Sequence, residues 1–360
     1  MTTVRLSNYS LDKHGYGDFP KVLDDYGFKK VVLVGGKRAL KASEGLIREA
    51  LDGTDISILG SFVYGVDSTM DNINKLKEKK EVQEADVIFA VGGGKAIDTC
   101  KVLGVEVNKK VFSFPTICSN CSAATAIAVV YNNDGSLSHY DSRMQAPYHV
   151  FISTEVIANA PDVYMWAGVG DGLSKEAEVR FATEGLSLNT TASLGLAIAK
   201  SCEKPFLEYG KQAIADTKAN LASEAVEKVV MDVLISTGNV SNLTNGEDYY
   251  YNSSLAHAFY NATTAIKREG KFEHGEIVSF GVMVLHAYRD DEKDLRKIGE
   301  FNKSVGLPTK LSDLNLDYSH LDTLVEKTQE TMEWQRSEKE LSAEKFKEAI
   351  KKAYEFGKSL

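Results

Sequence analysis

The sequence predicts an α/β domain over residues 1–160 followed by an all-helical domain over 161–360. Three observations carry that expectation. Short apolar runs alternate with amphipathic stretches through the first 160 residues, and two of these runs end in glycine clusters, Gly35-Gly36 and Gly92-Gly93-Gly94. After Pro161 the β-like runs stop, and apolar residues recur at spacings of three and four.

Taken in order, 30–34 (KVVLV) is β-branched and reads as a strand, 39–51 as a helix, 55–59 as a short strand and 70–84 as a charged helix. The run 87–91 (VIFAV) is a fully apolar strand entering the glycine triplet, with a helix over 95–103 behind it. Residues 111–114 form a strand stopped by Pro115. Strand and helix alternating at this pitch call for a parallel sheet covered on both faces. Asn132-Asn133-Asp134-Gly135-Ser136, between 126–131 and 137–140, is a hairpin signal, and 150–153 is the last strand. Helical spacing then covers 162–183, 187–202, 213–236, 250–268 and 276–289. The charged tail from 321 reads as a solvated amphipathic helix pair. An α/β domain, an all-helical one and a cleft between them are expected.

The 360 residues are 43% hydrophobic and 26% charged, enough to bury a core without disulfide or metal staples. Lys plus Arg number 42 against 51 Asp plus Glu, a net charge of −9. An acidic chain without a basic stripe repels nucleic acid and anionic membrane, so neither is expected as a partner. No run reaches the apolar length of a membrane span, and MTTVRLSNYS has no apolar core. Of four cysteines only Cys118 and Cys121 stand at a recognised spacing, which suits a reducing compartment. A cytoplasmic protein acting on a small molecule is expected, and a homo-oligomer is compatible with the sequence.

Three constellations could carry chemistry. In Ala90-Val91-Gly92-Gly93-Gly94-Lys95, glycines at a strand-to-helix turn let backbone N–H groups approach a phosphate. The loop is neither a Walker A motif, since Phe89 and Ala96 occupy two required positions, nor GxGxxG, and a plain tight turn explains it equally. Asp98, one turn on, either orients the loop or only complements the helix dipole. Asp171 lies in Gly168-Val169-Gly170-Asp171-Gly172, read as at or just inside a helix start. With His257 on a small apolar face and His274 before Gly275-Glu276, it offers one carboxylate and two imidazoles, a catalytic type of metal set with an open position. From spacing alone, capping or core histidines are the simpler reading. Cys118-x-x-Cys121 has no second pair, so two buried thiols are expected rather than a zinc or redox site.

Together and in order, Gly92-Gly93-Gly94-Lys95 with Asp98, Phe114-Pro115-Thr116-Ile117, Gly168-Val169-Gly170-Asp171, His257-Ala258-x-x-Asn261 and Phe272-Glu273-His274-Gly275-Glu276 reach a family. Over essentially its whole length the chain resembles the metal-dependent alcohol dehydrogenases of the glycerol dehydrogenase type. The resemblance implies a Rossmann-like first domain, a helical second domain of the dehydroquinate synthase-like plan, and NADP or NAD as cofactor. It implies Asp171, His257 and His274 as catalytic metal ligands. It further implies cofactor contacts from Lys37, Gly93, Gly94, Lys95, Asp98, Thr116, Ser119, Thr125, Ile127 and Tyr131.

The iron-type branch usually has another histidine where Lys175 stands, so oxygen and two nitrogens favour zinc over iron. Glycerol dehydrogenases typically carry Asp where Cys121 and Lys37 stand. Gly36-Lys37-Arg38-Ala39 with Cys121 and Lys175 resembles instead the hydroxycarboxylate dehydrogenase subgroup. That implies an NAD(P)-linked oxidoreductase interconverting a small 2-hydroxy acid and its 2-oxo acid. Cys121 and Lys175 would face the substrate, and Lys37 would favour NADPH. Glycerol or another polyol is the alternative substrate. Dehydroquinate synthase-like or glycerol-1-phosphate dehydrogenase-like chemistry would want a basic cluster, and none is visible in the helical half. A non-catalytic cofactor binder would have no use for three convergent ligands.

Overall fold

In a computed structural model that describes residues 3–17, 19–141 and 145–360, the apolar runs of the first half form a parallel sheet. The strands are β1 (Asn8–Asp12), β2 (Lys30–Gly35), β3 (Ser57–Val63), β4 (Val87–Gly92), β5 (Lys110–Pro115), β6 (Ala128–Tyr131), β7 (Leu137–Asp141) and β8 (His149–Ser153). Six of them pair in the order β1-β8-β5-β4-β2-β3, every pair parallel, while β6 and β7 make the expected antiparallel hairpin. The helices of this half are α1 (Phe19–Tyr26), α2 (Lys37–Leu51), α3 (Met70–Lys77), α4 (Lys80–Glu84), α5 (Gly94–Glu106) and α6 (Thr154–Ala158). Every residue of β4 is buried, as its unbroken apolar run requires. Phe89, Phe114 and Phe151 pack on Phe19 of α1, and Phe112 on Phe89 and Phe151, to fill one face. The edge strand β1 (NYSLD) has no apolar run, so periodicity gave no sign of it.

From β2 the chain goes to β3 on one side and then to β4 on the other. Strand order therefore reverses at β2/β4, and in open α/β sheets ligands bind outside the carboxyl ends of strands at such a point. Both glycine clusters stand there.

The second half contains α7 (Val163–Thr183), α8 (Thr190–Ala199), α9 (Glu203–Lys218), α10 (Glu224–Met231), α11 (Thr237–Thr244), α12 (Leu255–Thr264), α13 (His274–Tyr288), α14 (Glu292–Val305), α15 (Leu321–Gln329), α16 (Met332–Gln335) and α17 (Ala343–Ser359). The single helix expected over 213–236 is two. Asn220 takes a left-handed φ of 54° and Ser223 caps α10 by accepting from Val226 N–H.

Contacts divide the chain into two compact units: residues up to Asp162 with Asp216–Asn242, and Val163–Ala215 with Leu243–Leu360. The expectation of one helical domain over 161–360 therefore misses the return of 216–242 to the sheet unit. The cause is local. Asn242 donates to Ala124 O at 2.8 Å and accepts from Ala126 N–H at 2.8 Å. A Cβ on Gly238 would stand 2.9 Å from that of Ala124. Among the described residues no helix is long and apolar enough to cross a membrane.

Candidate functional site

Each unit carries one constellation, built from its own elements. In the sheet unit, Gly92 ends β4 with φ +150°, and α5 opens at Gly94 with Gly93 as its cap and no side chain bonded there. A Cβ on Gly93 would meet Ile117 Cδ1 at 2.4 Å. The backbone is thus bare where it lines a crevice with Ile117, Ser119, Asn120 and Leu234. Unbonded amides at a helix N-terminus suit a pyrophosphate. Thr116 N–H donates to Gly92 O at 3.2 Å and ties β5 to the loop.

Asp98 neither caps that loop nor only faces the dipole. It is buried, accepts from Ser122 Oγ at 2.6 Å and Val129 N–H at 3.1 Å, and pairs with Lys101 at 2.8 Å. Lys101, 2% exposed, donates to the carbonyls of Ile127 at 2.5 Å, Ser122 at 3.0 Å and Thr125 at 3.2 Å. A buried ion pair with this many oxygen partners fixes the 122–129 segment against α5, and with it Thr125 and Ile127. Lys95 pairs with Asp67 and lies 5.2 Å over the Tyr131 ring. Lys37 and Arg38 are exposed at the start of α2. The four cysteines form no disulfide; Cys118 is buried, which raises its thiol pKa, and Cys121 is half-buried.

In the helical unit, Asp171 is in the middle of α7, not near its start as the glycine-rich run suggested. Those glycines serve close packing. A Cβ on Gly170 would meet Gly275 O at 2.4 Å, and one on Gly275 would meet Ala167 O at 1.8 Å, so α7 and α13 touch backbone to backbone. Gly281 does the same for α12, where Ala256 O would be 2.5 Å away. These approaches bring Asp171, His257 near the start of α12, and His274 at the start of α13 to one place.

Their ligand atoms all lie within 4.8 Å of one another. His274 Nε2 is 3.0 Å and His257 Nε2 3.5 Å from Asp171 Oδ1. Yet Oδ1 is a buried atom that accepts no well-directed hydrogen bond from the described residues. The three atoms converge on a point rather than bonding pairwise, which is how donors surround a divalent cation. His274, a third exposed, leaves one side open. Burial works against the Asp171 carboxylate, but His274 and His257 hold its pKa well below the usual range. Burial likewise opposes a charge on His257, but Glu178 and Asp171 raise its pKa to about 10.

Glu178, absent from the sequence reading of this site, is fully buried. Its Oε2 meets His257 Nδ1 at 2.6 Å, and Oε1 accepts the N–H groups of Ser254 at 2.8 Å and His257 at 2.9 Å. One carboxylate from α7 therefore caps α12, which has no side-chain cap of its own, and orients the imidazole. Its position seven residues after Asp171, on the same helix face, was the available signal. Lys175 is buried and donates to Asn252 Oδ1 at 2.7 Å and Asn252 O at 3.1 Å. Among the described residues it pairs with no carboxylate, neither Asp171 nor Glu178 of its own helix.

A model of the family described as iron-containing alcohol dehydrogenase matches residues 12–161. The chain is 30% identical over 261 residues to a glycerol dehydrogenase of Thermotoga maritima, covering 71% of this chain and 69% of that one. It is 27% identical over 317 residues to hydroxycarboxylate dehydrogenase A of Escherichia coli, covering 87% and 85%. In fold it is similar to the crystal structure of glycerol dehydrogenase from Schizosaccharomyces pombe, with a TM-score of 0.86 at 23% identity over 99% of this chain and 91% of that one.

Proposed function

The chain belongs to the iron-containing alcohol dehydrogenase family, and from that premise we propose that this NAD(P)-dependent dehydrogenase interconverts a small 2-hydroxy acid and its 2-oxo acid with one divalent cation on Asp171, His257 and His274. The observation that carries the metal assignment is Asp171 Oδ1, buried and unbonded, with two imidazole nitrogens aimed at it. One oxygen and two nitrogen donors with an open side favour zinc, and Lys175 stands where iron-type members place a further histidine. When bound, the cation supplies Lewis acidity to the substrate oxygen, and the nicotinamide supplies the hydride acceptor or donor.

The chain's own residues do the rest. Glu178 accepts from Nδ1–H, so the proton His257 would give up to a cation is that on Nε2, whose lone pair then faces the site. The amides of Gly93 and Gly94 bind the pyrophosphate, while Asp98 and Lys101 hold the 122–129 segment in register beside them. Lys175 supplies a positive charge one turn from Asp171 that, among the described residues, only neutral oxygens answer. A substrate carboxylate would complete it. Lys37 and Arg38 supply the charge that a 2′-phosphate would meet, favouring NADPH.

A second reading rests on the same lysine: its bonds to Asn252 already occupy it, which favours an uncharged polyol. The metal reading is tested with His257→Ala. Zinc content and turnover should fall together by more than about tenfold while the circular dichroism spectrum persists. Normal turnover by the metal-free variant would overturn it.

A further inference from the structure

At the opposite end of α13 from His274, we propose, His286, Asp291 and Asp294 hold a second divalent cation, zinc by its donors, that locks the turn into α14. The two places are twelve residues apart on one helix, about 18 Å at 1.5 Å per residue.

The first observation is His286 itself. It is 2% exposed, and neither ring nitrogen has a hydrogen-bond partner among the described residues. Buried imidazoles normally satisfy at least one nitrogen, so this one lacks a partner that the site would supply. The second observation is what it faces. A ring nitrogen of His286 and carboxylate oxygens of Asp291 and Asp294 all lie within 4.8 Å of one another.

The backbone builds the arrangement. Asp290 takes a left-handed φ of 56°, and Asp291 N–H returns to His286 O at 3.0 Å, closing the turn. Asp291 caps α14 by accepting Asp294 N–H at 3.1 Å through Oδ1, which leaves Oδ2 for a ligand. Both carboxylates are half-buried, so water can complete the coordination.

Among the described residues one cation reaches the cluster, and it does so through a single carboxylate oxygen. Lys297 meets Asp294 through Oδ1 at 2.8 Å but is shared with Glu203. Arg289 pairs with Glu184 at 3.0 Å and Arg180 with Glu176 at 3.2 Å, so each guanidinium has a carboxylate outside the cluster. One imidazole with two carboxylates fits zinc, with water in the remaining position.

The test is zinc stoichiometry of the full chain, equilibrated with micromolar free zinc and measured by elemental analysis. Two equivalents are expected for the natural protein, one for His257→Ala, and one for both His286→Gln and Asp294→Asn, which should keep dehydrogenase activity. Asp294→Asn leaves the backbone cap intact, so it remains informative if the buried His286 variant fails to fold. In the His257→Ala background zinc should still raise the Tm, and adding Asp294→Asn should abolish that rise. A single equivalent that His257→Ala removes would overturn the proposal, as would two equivalents that survive both His286→Gln and Asp294→Asn.

Discussion

Replacing Glu178 by Gln isolates one hydrogen bond in the proposed metal centre. The amide oxygen can still accept the N–H groups of Ser254 and His257, so the cap on α12 survives. What changes is the 2.6 Å contact with His257 Nδ1, where an –NH2 group replaces a carboxylate oxygen. Two donors would then face each other. The imidazole must turn away or move its proton to Nε2, and a protonated Nε2 has no lone pair for a metal. Loss of such an outer carboxylate costs about 10–100-fold in metal affinity, or about 1.4–2.7 kcal/mol. Two remaining bonds that were charge-assisted become neutral, so the apoprotein should also lose about 1–2 kcal/mol of stability. The assay is a zinc titration against a chelating dye, alongside urea unfolding of the apoprotein and turnover at saturating zinc. A zinc Kd weakened by about 10–100-fold, with turnover partly restored by excess zinc, is expected. A Kd within about twofold of the natural protein would refute the reasoning.

Three further outcomes are expected. Lys175→Met should raise KM for 2-oxo acids by about tenfold or more and leave uncharged ketones nearly unchanged; equal losses for both classes would favour the polyol reading. Lys37→Asp should shift the NADPH/NADH preference toward NADH by about tenfold, since one charge near the 2′-phosphate is reversed; an unchanged ratio of kcat/KM values would remove Lys37 from cofactor choice. His149, buried and bonded to Ser10 Oγ at 2.8 Å, has its pKa pushed down from 6.5 to about 4 by burial. The unfolded chain binds that proton more readily, so this contribution is complete above pH 6.5 and disappears as pH falls toward 4. His149→Gln should flatten the dependence of unfolding free energy on pH in that window by about 2–3 kcal/mol, measured by urea titration.

By itself the sequence determined the fold class and most of the sheet. A five-residue apolar run such as 87–91, β-branched and closed by glycines, suits a strand buried on both faces, and the glycine triplet after it marks where backbone lies bare. The order of its motifs also singled out Asp171, His257 and His274, which the helices do bring within ligand distance of one another. Tertiary structure alone decided what the buried polar groups meet. Glu178 reaches a histidine 79 residues away, Lys101 answers carbonyls on the following loop, and Lys175 turns to Asn252 rather than to its helix neighbours. It likewise returned residues 216–242 to the sheet unit through Asn242 and Gly238. The physical reason is that periodicity records which face of an element leaves water, a local property of the chain. A hydrogen bond between buried groups depends on two faces meeting, and that is set only when helices such as α7, α12 and α13 close on their glycines.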